Sequence, residues 1–188
     1  MKNIVIMISG RGSNMKAILD NVKDGILKNV CNVKAVFSNN PDAKGLRIAR
    51  DYNISTKAIS SRGKRKNEYN KLLLDYLKKV NPDFIVLAGY MKIIPTEIVT
   101  LFEGKIINIH PADTALHQGL HGYEWAYLNK MKTTRITVHF VDEGLDSGSV
   151  IGKADVDLIG VKSLEDVEKR GLAIEHKFYS ECLRKVLE

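Results

Sequence analysis

A chain of 188 residues, 44% of them hydrophobic, holds enough apolar material for one sizeable core, and its Gly and Pro content is neither fibrous nor disordered. The 29 Lys and Arg against 22 Asp and Glu leave a net charge of +7, an excess that suits anionic ligands but is spread along the chain. Two distant cysteines, Cys31 and Cys182, form no CxxC and point to reduced thiols, and no apolar run reaches membrane-span length, so a soluble cytoplasmic protein without a membrane partner is expected.

Ile4 to Ile8 is a continuous apolar run, the pattern of a strand buried on both faces of a parallel sheet. The stretch from Lys2 is too short for the apolar core of a signal peptide and runs directly into a glycine turn. Ser9-Gly10-Arg11-Gly12-Ser13 turns the chain. Asn14 to Leu27 then carries Met15, Ile18, Leu19, Val22 and Ile26 at helical spacing. Val33 to Phe37 reads as a second strand. Asn39-Asn40-Pro41-Asp42 is turn chemistry, with Pro41 placed in the first turn of a helix reaching Tyr52.

Ser55 to Ile59 reads as a short strand. The basic cluster Arg62-Gly63-Lys64-Arg65-Lys66 follows; it lacks the interleaved aromatics of a single-strand nucleic-acid binder and reads as a solvated loop. A helix from Asn67 to Val80 is expected to bury Tyr69, Leu72, Leu73, Tyr76, Leu77 and Val80. Phe84 to Ala88 is another doubly buried strand, turned by Gly89 to Pro95 into a short helix, Thr96 to Phe102.

Lys105 to Pro111 reads as a strand in which Asn108 and His110 share one face and Ile107 and Ile109 the other. Pro111 ends its pairing. Such a pair is either a hydrogen-bonded strand end or an amide and an imidazole offered to a ligand at the carboxyl edge of the sheet. The β-α alternation up to this point predicts an α/β, doubly wound, mostly parallel Rossmann-like sheet. Beyond it, a loop (Ala112 to Gly122), a helix (Tyr123 to Lys130) and two strands (Ile136 to Val141, Val150 to Leu158) predict an antiparallel C-terminal edge. Ser163 caps a long final helix, with Glu165 and Asp166 in its first turn.

Gly10 to Asn14 occupies the place of a dinucleotide fingerprint without matching it, because Met15 stands at the last glycine position; it is no Walker A loop either. What remains is a set of helix N-terminal N–H groups that reads as an anion site, a plain tight turn being the alternative. Asp142 to Gly148 is a flexible acidic loop, by itself a solvated turn; a carboxylate from it beside His110 would raise the imidazole's pKa. No metal-ligand spacing appears.

Taken together, Ser9 to Asn14, Val36 to Asn40, Leu87 to Ile94, Ile107 to Pro111, Gly119 to Gly122, Thr137 to Gly148 and Glu175-His176 resemble the folate-dependent formyltransferases in nearly the whole chain and in the right order. The resemblance implies Asn108, His110 and Asp146 as catalytic groups. It implies Gly12, Ser13 and Asn14 around a substrate phosphate, and Glu175 on the acceptor side. It implies that Lys66, Met91, Lys92, Ile93, Ile94, Asn108 and the loop Asp142, Glu143, Gly144, Leu145 and Asp146 hold 10-formyltetrahydrofolate as co-substrate, with no metal. The Gly10-to-Asn14 start points to the branch that formylates glycinamide ribonucleotide in purine synthesis. A single domain is expected, with residues 1–103 the phosphate-binding half and 104–188 the catalytic and folate-binding half, acting as monomer or homodimer on small molecules and not on nucleic acid. A related folate formyl transfer, a formyl-folate hydrolase and a non-catalytic nucleotide-binding module are the alternatives.

The chain departs from the family after His110-Pro111. Ala112-Asp113-Thr114-Ala115-Leu116-His117-Gln118 replaces an apolar, proline-stiffened loop, and Leu172 and Ala173 precede Glu175 where polar residues are expected. His117 and His121 read as surface or packing residues.

Overall fold

The computed structural model describes residues 1–188. Seven strands form one sheet in the order β3-β2-β1-β4-β5-β6-β7. In chain order the elements are β1 (Lys2–Ile8), α1 (Ser13–Asp24), β2 (Cys31–Ser38), α2 (Lys44–Asp51), β3 (Thr56–Ala58), α3 (Lys66–Val80), β4 (Phe84–Leu87), α4 (Thr96–Leu101), β5 (Ile106–His110), α5 (Gly122–Leu128), β6 (Thr133–Phe140), β7 (Val150–Asp157) and α6 (Leu164–Leu187). β1 pairs in parallel with β2 and β4, β2 with β3, and β4 with β5. β6 runs antiparallel to β5 and β7 antiparallel to β6, so the expected antiparallel edge is present.

Ile4 to Ile8 are all fully buried, because β1 is central and its alternate side chains enter two different cores. Ile4, Ile6 and Ile8 join α1, α2, α5 and α6; Val5 and Met7 join α3 and α4. Each such aliphatic side chain contributes about 2 kcal/mol through apolar burial. The chain moves outward in both directions from the β1–β4 pair, which makes this the topological switch point where α/β sheets bind ligands.

Several boundaries differ from the periodicity. α1 stops at Asp24, where Gly25 turns to an extended backbone (φ −127°, ψ −154°) while its N–H still donates to the Asn21 carbonyl, and Leu27 is buried by the following turn while Ile26 stays exposed. α2 begins at Lys44, leaving Pro41 in the preceding turn: the Asn40 carboxamide oxygen accepts from Asp42 N at 3.1 Å and its carbonyl accepts from Ala43 N at 3.1 Å. On α3, Leu72 is exposed, and the buried stripe is Tyr69, Leu73 and Leu77 with Tyr76 and Val80 beside it. Cys31 and Cys182 are free and buried, and Ser163 Oγ caps α6 by accepting from Asp166 N at 3.1 Å. No helix is long and apolar enough to cross a membrane.

Candidate active site

Asn108 and His110 lie on the same face of β5, the face of Ile106, while Ile107 and Ile109 pack under α5 and α6. The β6–β7 loop folds back across that face and delivers Asp146, whose backbone sits in the left-handed region at φ 50°. Asp146 Oδ2 lies 3.4 Å from His110 Nδ1, and Asp146 Oδ1 accepts from Asn108 Nδ2 at 3.4 Å. The three residues singled out in the sequence are thus brought together.

Two further groups complete the cluster. His139 of β6 sits opposite Asn108 in the register and is buried. Its Nδ1 donates to the Phe140 carbonyl at 2.8 Å, leaving Nε2 3.3 Å from Asn108 Nδ2 and 3.4 Å from Asp146 Oδ1. A neutral His139 accepts from Asn108; a charged one donates to Asp146. The sequence carries a signal for it: Thr137 and His139, spaced two apart in an apolar strand, mirror the spacing of Asn108 and His110. The second group is His117, whose ring stacks at 6.2 Å on His110 and at 5.1 Å on Trp125. Its packing role is as expected, but what it packs against is the site itself. His121 is exposed beside Glu124.

Electrostatics pull the cluster in opposite directions. Burial lowers the His110 pKa, and the carboxylate of Asp146 and the His117 carbonyl offset this only in part. Proximity to Asp146 alone suggests a raised pKa, so desolvation reverses that expectation. Burial also opposes the charge of Asp146, yet His139, the Gly119 amide and His110 together hold its carboxyl below the usual carboxylate range. Asn108 spends its amide on two long contacts and is not saturated, the state of a donor that can tighten around a developing charge.

The opposite layer carries a second polar group. Gly12, in the left-handed region at φ 77°, starts α1 without a side-chain cap, and the first helical N–H with a partner inside the turn is Lys16 N, 2.9 Å from the Gly12 carbonyl. The earlier N–H groups, with no acid in that turn, present the positive end of the helix. Asn14 is buried and donates to Glu175 of α6, which also accepts from Tyr123 Oη. Asn14 and Glu175, which the resemblance implies on the acceptor side, therefore touch. Tyr123 was not singled out in the sequence; it needs Gly171, where a side chain would overlap its ring.

The loops after β1 and β4 are stitched at the switch point. Ser9 N donates to the Gly89 carbonyl at 3.0 Å, and Ser9 Oγ accepts from Met91 N at 2.8 Å. Met91, Lys92 and Ile93 are exposed there, whereas Ile94 turns into the core under α3 and α4. Lys66 is exposed at the first residue of α3. In the β6–β7 loop, Glu143, Gly144 and Leu145 are exposed, while Asp142 folds the loop by accepting from Gly144 N at 3.0 Å and Ser147 Oγ at 2.7 Å.

Known proteins share this fold. The family model described as formyl transferase matches residues 2–183. The chain is 38% identical over 178 residues to the phosphoribosylglycinamide formyltransferase of Escherichia coli (strain K12), covering 94% of this chain and 83% of that one. It is 30% identical over 188 residues to the enzyme of the same name from Bacillus subtilis (strain 168), covering 100% and 95%. The crystal structure of glycinamide ribonucleotide transformylase 1 from Geobacillus kaustophilus superimposes with a TM-score of 0.94 over the whole of both chains at 34% identity. On this evidence the chain belongs to the formyl transferase family.

Proposed function

We propose that this enzyme transfers a formyl group from 10-formyltetrahydrofolate to the amine of glycinamide ribonucleotide, the formylation step of purine synthesis, with Asn108, His110 and Asp146 as its catalytic residues. The observation that carries the reading is the convergence of an amide donor, an imidazole and a carboxylate on one face of β5 beside the switch point. An amine attacking a formyl carbon builds negative charge on the formyl oxygen. Asn108 Nδ2 and, in a protonated His110, the Nδ1–H that lies 3.4 Å from Asp146 are the donors able to meet it, each worth about 3 kcal/mol in comparable sites. Asp146 stabilises the imidazolium, accepts a proton as the new C–N bond forms and returns it to the departing nitrogen.

The donor set fits the folate co-substrate. The exposed Met91, Ile93 and Leu145 give an apolar rim for a heterocycle, and Lys66 and Lys92 suit its carboxylates. The N–H groups of Ser13 and Asn14 beside Gly12 suit the acceptor phosphate. Glu175, an acceptor in a buried network, suits the amine or hydroxyl end of the same molecule. In this reading residues 1–103 supply the phosphate side and the folate contacts Lys66, Met91, Lys92 and Ile93, and 104–188 supply the catalytic trio, Leu145 and Glu175. The test is a screen of 10-formyltetrahydrofolate against glycinamide ribonucleotide, other amines and water. Turnover that requires glycinamide ribonucleotide supports the proposal; formate release without acceptor, or transfer only to another amine, overturns it.

A further inference from the structure

His110 faces acceptors on both sides. Its Nε2 lies 3.0 Å from the His117 carbonyl, and a carbonyl only accepts, so this nitrogen carries hydrogen and Nδ1 is the one turned to Asp146. The same residue braces the ring laterally: His117 stacks nearly parallel on His110, at 19° between planes, and its other face rests on Trp125, also at 19°. His117 is itself fixed. Its Nε2 donates to the Leu120 carbonyl at 2.9 Å and its backbone N to the Asp113 carbonyl at 2.9 Å.

The loop that carries His117 contains no proline between Ala112 and Gly122, so its stiffness has another source. Asp113, buried, pairs with Lys153 Nζ at 2.5 Å and Arg135 at 3.2 Å on the β6–β7 hairpin, and Thr137 Oγ1 donates to the Ala112 carbonyl at 2.8 Å. Downstream, Gly119 N donates to Asp146 Oδ2 at 2.8 Å. One short loop thus touches two members of the trio.

We infer that His117 is a positioning residue for the formyl-transfer chemistry, holding the His110 imidazole by ring stacking and by its own carbonyl in the orientation that turns Nδ1 to Asp146. The inference rests on the formyl-transfer reading above. His117 does not face the formyl group; it acts through His110. Its removal should therefore lower kcat and leave the KM of the formyl donor nearly unchanged.

The experiment compares His117→Ala, His117→Phe and Trp125→Leu. Phenylalanine keeps a ring in the stack but neither ionises nor bonds Leu120. We expect kcat to fall about tenfold or more in His117→Ala, as for other misplaced catalytic groups, and to recover to within about threefold of the parent in His117→Phe. Trp125→Leu removes the far side of the stack and should lower kcat in the same sense, which keeps the test decisive if His117→Ala does not fold. An activity-independent readout is nuclear magnetic resonance of the nitrogen-labelled His110 ring. The parent and His117→Phe should show the Nε2–H form. His117→Ala keeps the backbone carbonyl and with it the Nε2–H form, but should show a higher ring pKa, because water then reaches a ring whose charge is opposed by burial; Asp146, His139 and residue 117 are the titratable groups facing it. A His110 spectrum unchanged in His117→Ala, a loss carried by KM alone, or His117→Phe as impaired as His117→Ala overturns the inference. If the parent transfers no formyl group, the functional proposal fails, and the ring spectra alone decide the role of His117.

Discussion

Asn14 in the first turn of α1 donates its side-chain amide to the carboxylate of Glu175 in α6, 161 positions away, and this contact joins the helix whose N-terminus faces the sheet edge to the long final helix. Glu175 also accepts from Tyr123, and Asn14 Oδ1 is buried without a partner. Glu175→Ala leaves two buried donors unpaired and should cost about 3 kcal/mol. Glu175→Gln keeps one acceptor, and its new N–H group can bond Asn14 once that amide turns. We expect a stability change under about 1 kcal/mol but weaker binding of the acceptor. Urea unfolding and the acceptor KM, measured on both variants, separate the two effects.

The proposed phosphate site calls for a different probe from the one the glycine motif suggests. A side chain at Gly12 would sit 2.8 Å from Gly45 Cα in a left-handed backbone. Gly12→Val should therefore lose about 2 kcal/mol or more of stability and weaken both ligands together. Ser13→Asp is the selective change: a carboxylate suits a helix N-terminus but repels phosphate. Affinity for glycinamide ribonucleotide should fall about tenfold or more with formyl-folate binding and the unfolding midpoint nearly unchanged, checked by titration calorimetry.

Stability should fall on mild acidification. Burial holds the His110 pKa below its ordinary 6.5, so the folded chain binds fewer protons there than the unfolded chain does. The contribution is intact above that value and is lost as pH falls from it toward the folded pKa. Asp113 and Asp146 add a second loss at lower pH, since their folded pKa values lie below the ordinary 3.8. Denaturant unfolding across pH should show the first decline in the parent and not in His110→Gln. A flat parent profile through that window would contradict the burial argument.

The charged clamp on the divergent loop should matter for activity more than for folding. Asp113→Asn keeps the turn bond to Ala115 N, seen at 3.1 Å, but gives up both cations. Because Arg135 and Lys153 are substantially exposed, we expect the unfolding midpoint to drop only about 3 °C. Turnover should drop further, because the loop braces His110 and Asp146. Thermal melts and initial rates at matched ionic strength decide it.

Much of this molecule was legible from pattern. Ile4 to Ile8 and Phe84 to Leu87 announce themselves because a doubly buried strand has no polar alternation to confuse. Asn108, His110 and Asp146 were legible as residues and, through the family resemblance, as a set; their meeting depends on a loop folding back with Asp146 at positive φ, which spacing does not encode. A lone His139 in an apolar strand reads as packing until the register sets it opposite Asn108. Asp113 gave no signal, because its partners Arg135 and Lys153 lie on later strands. Leu72 misled for the opposite reason: helical spacing counts neighbours on a face but not how much of that face the sheet covers.

The most direct measurement follows an isotopically labelled formyl carbon from 10-formyltetrahydrofolate by magnetic resonance, in the presence of glycinamide ribonucleotide, with the parent and with Asn108→Ala, His110→Ala and Asp146→Asn. We expect the label to move into the amide of the ribonucleotide in the parent. Each variant should move it about a hundredfold or more slowly while its unfolding midpoint stays near that of the parent. Label appearing as free formate in the parent, or transfer at near-parent rates in all three variants, would contradict a formyl transfer carried out by this cluster.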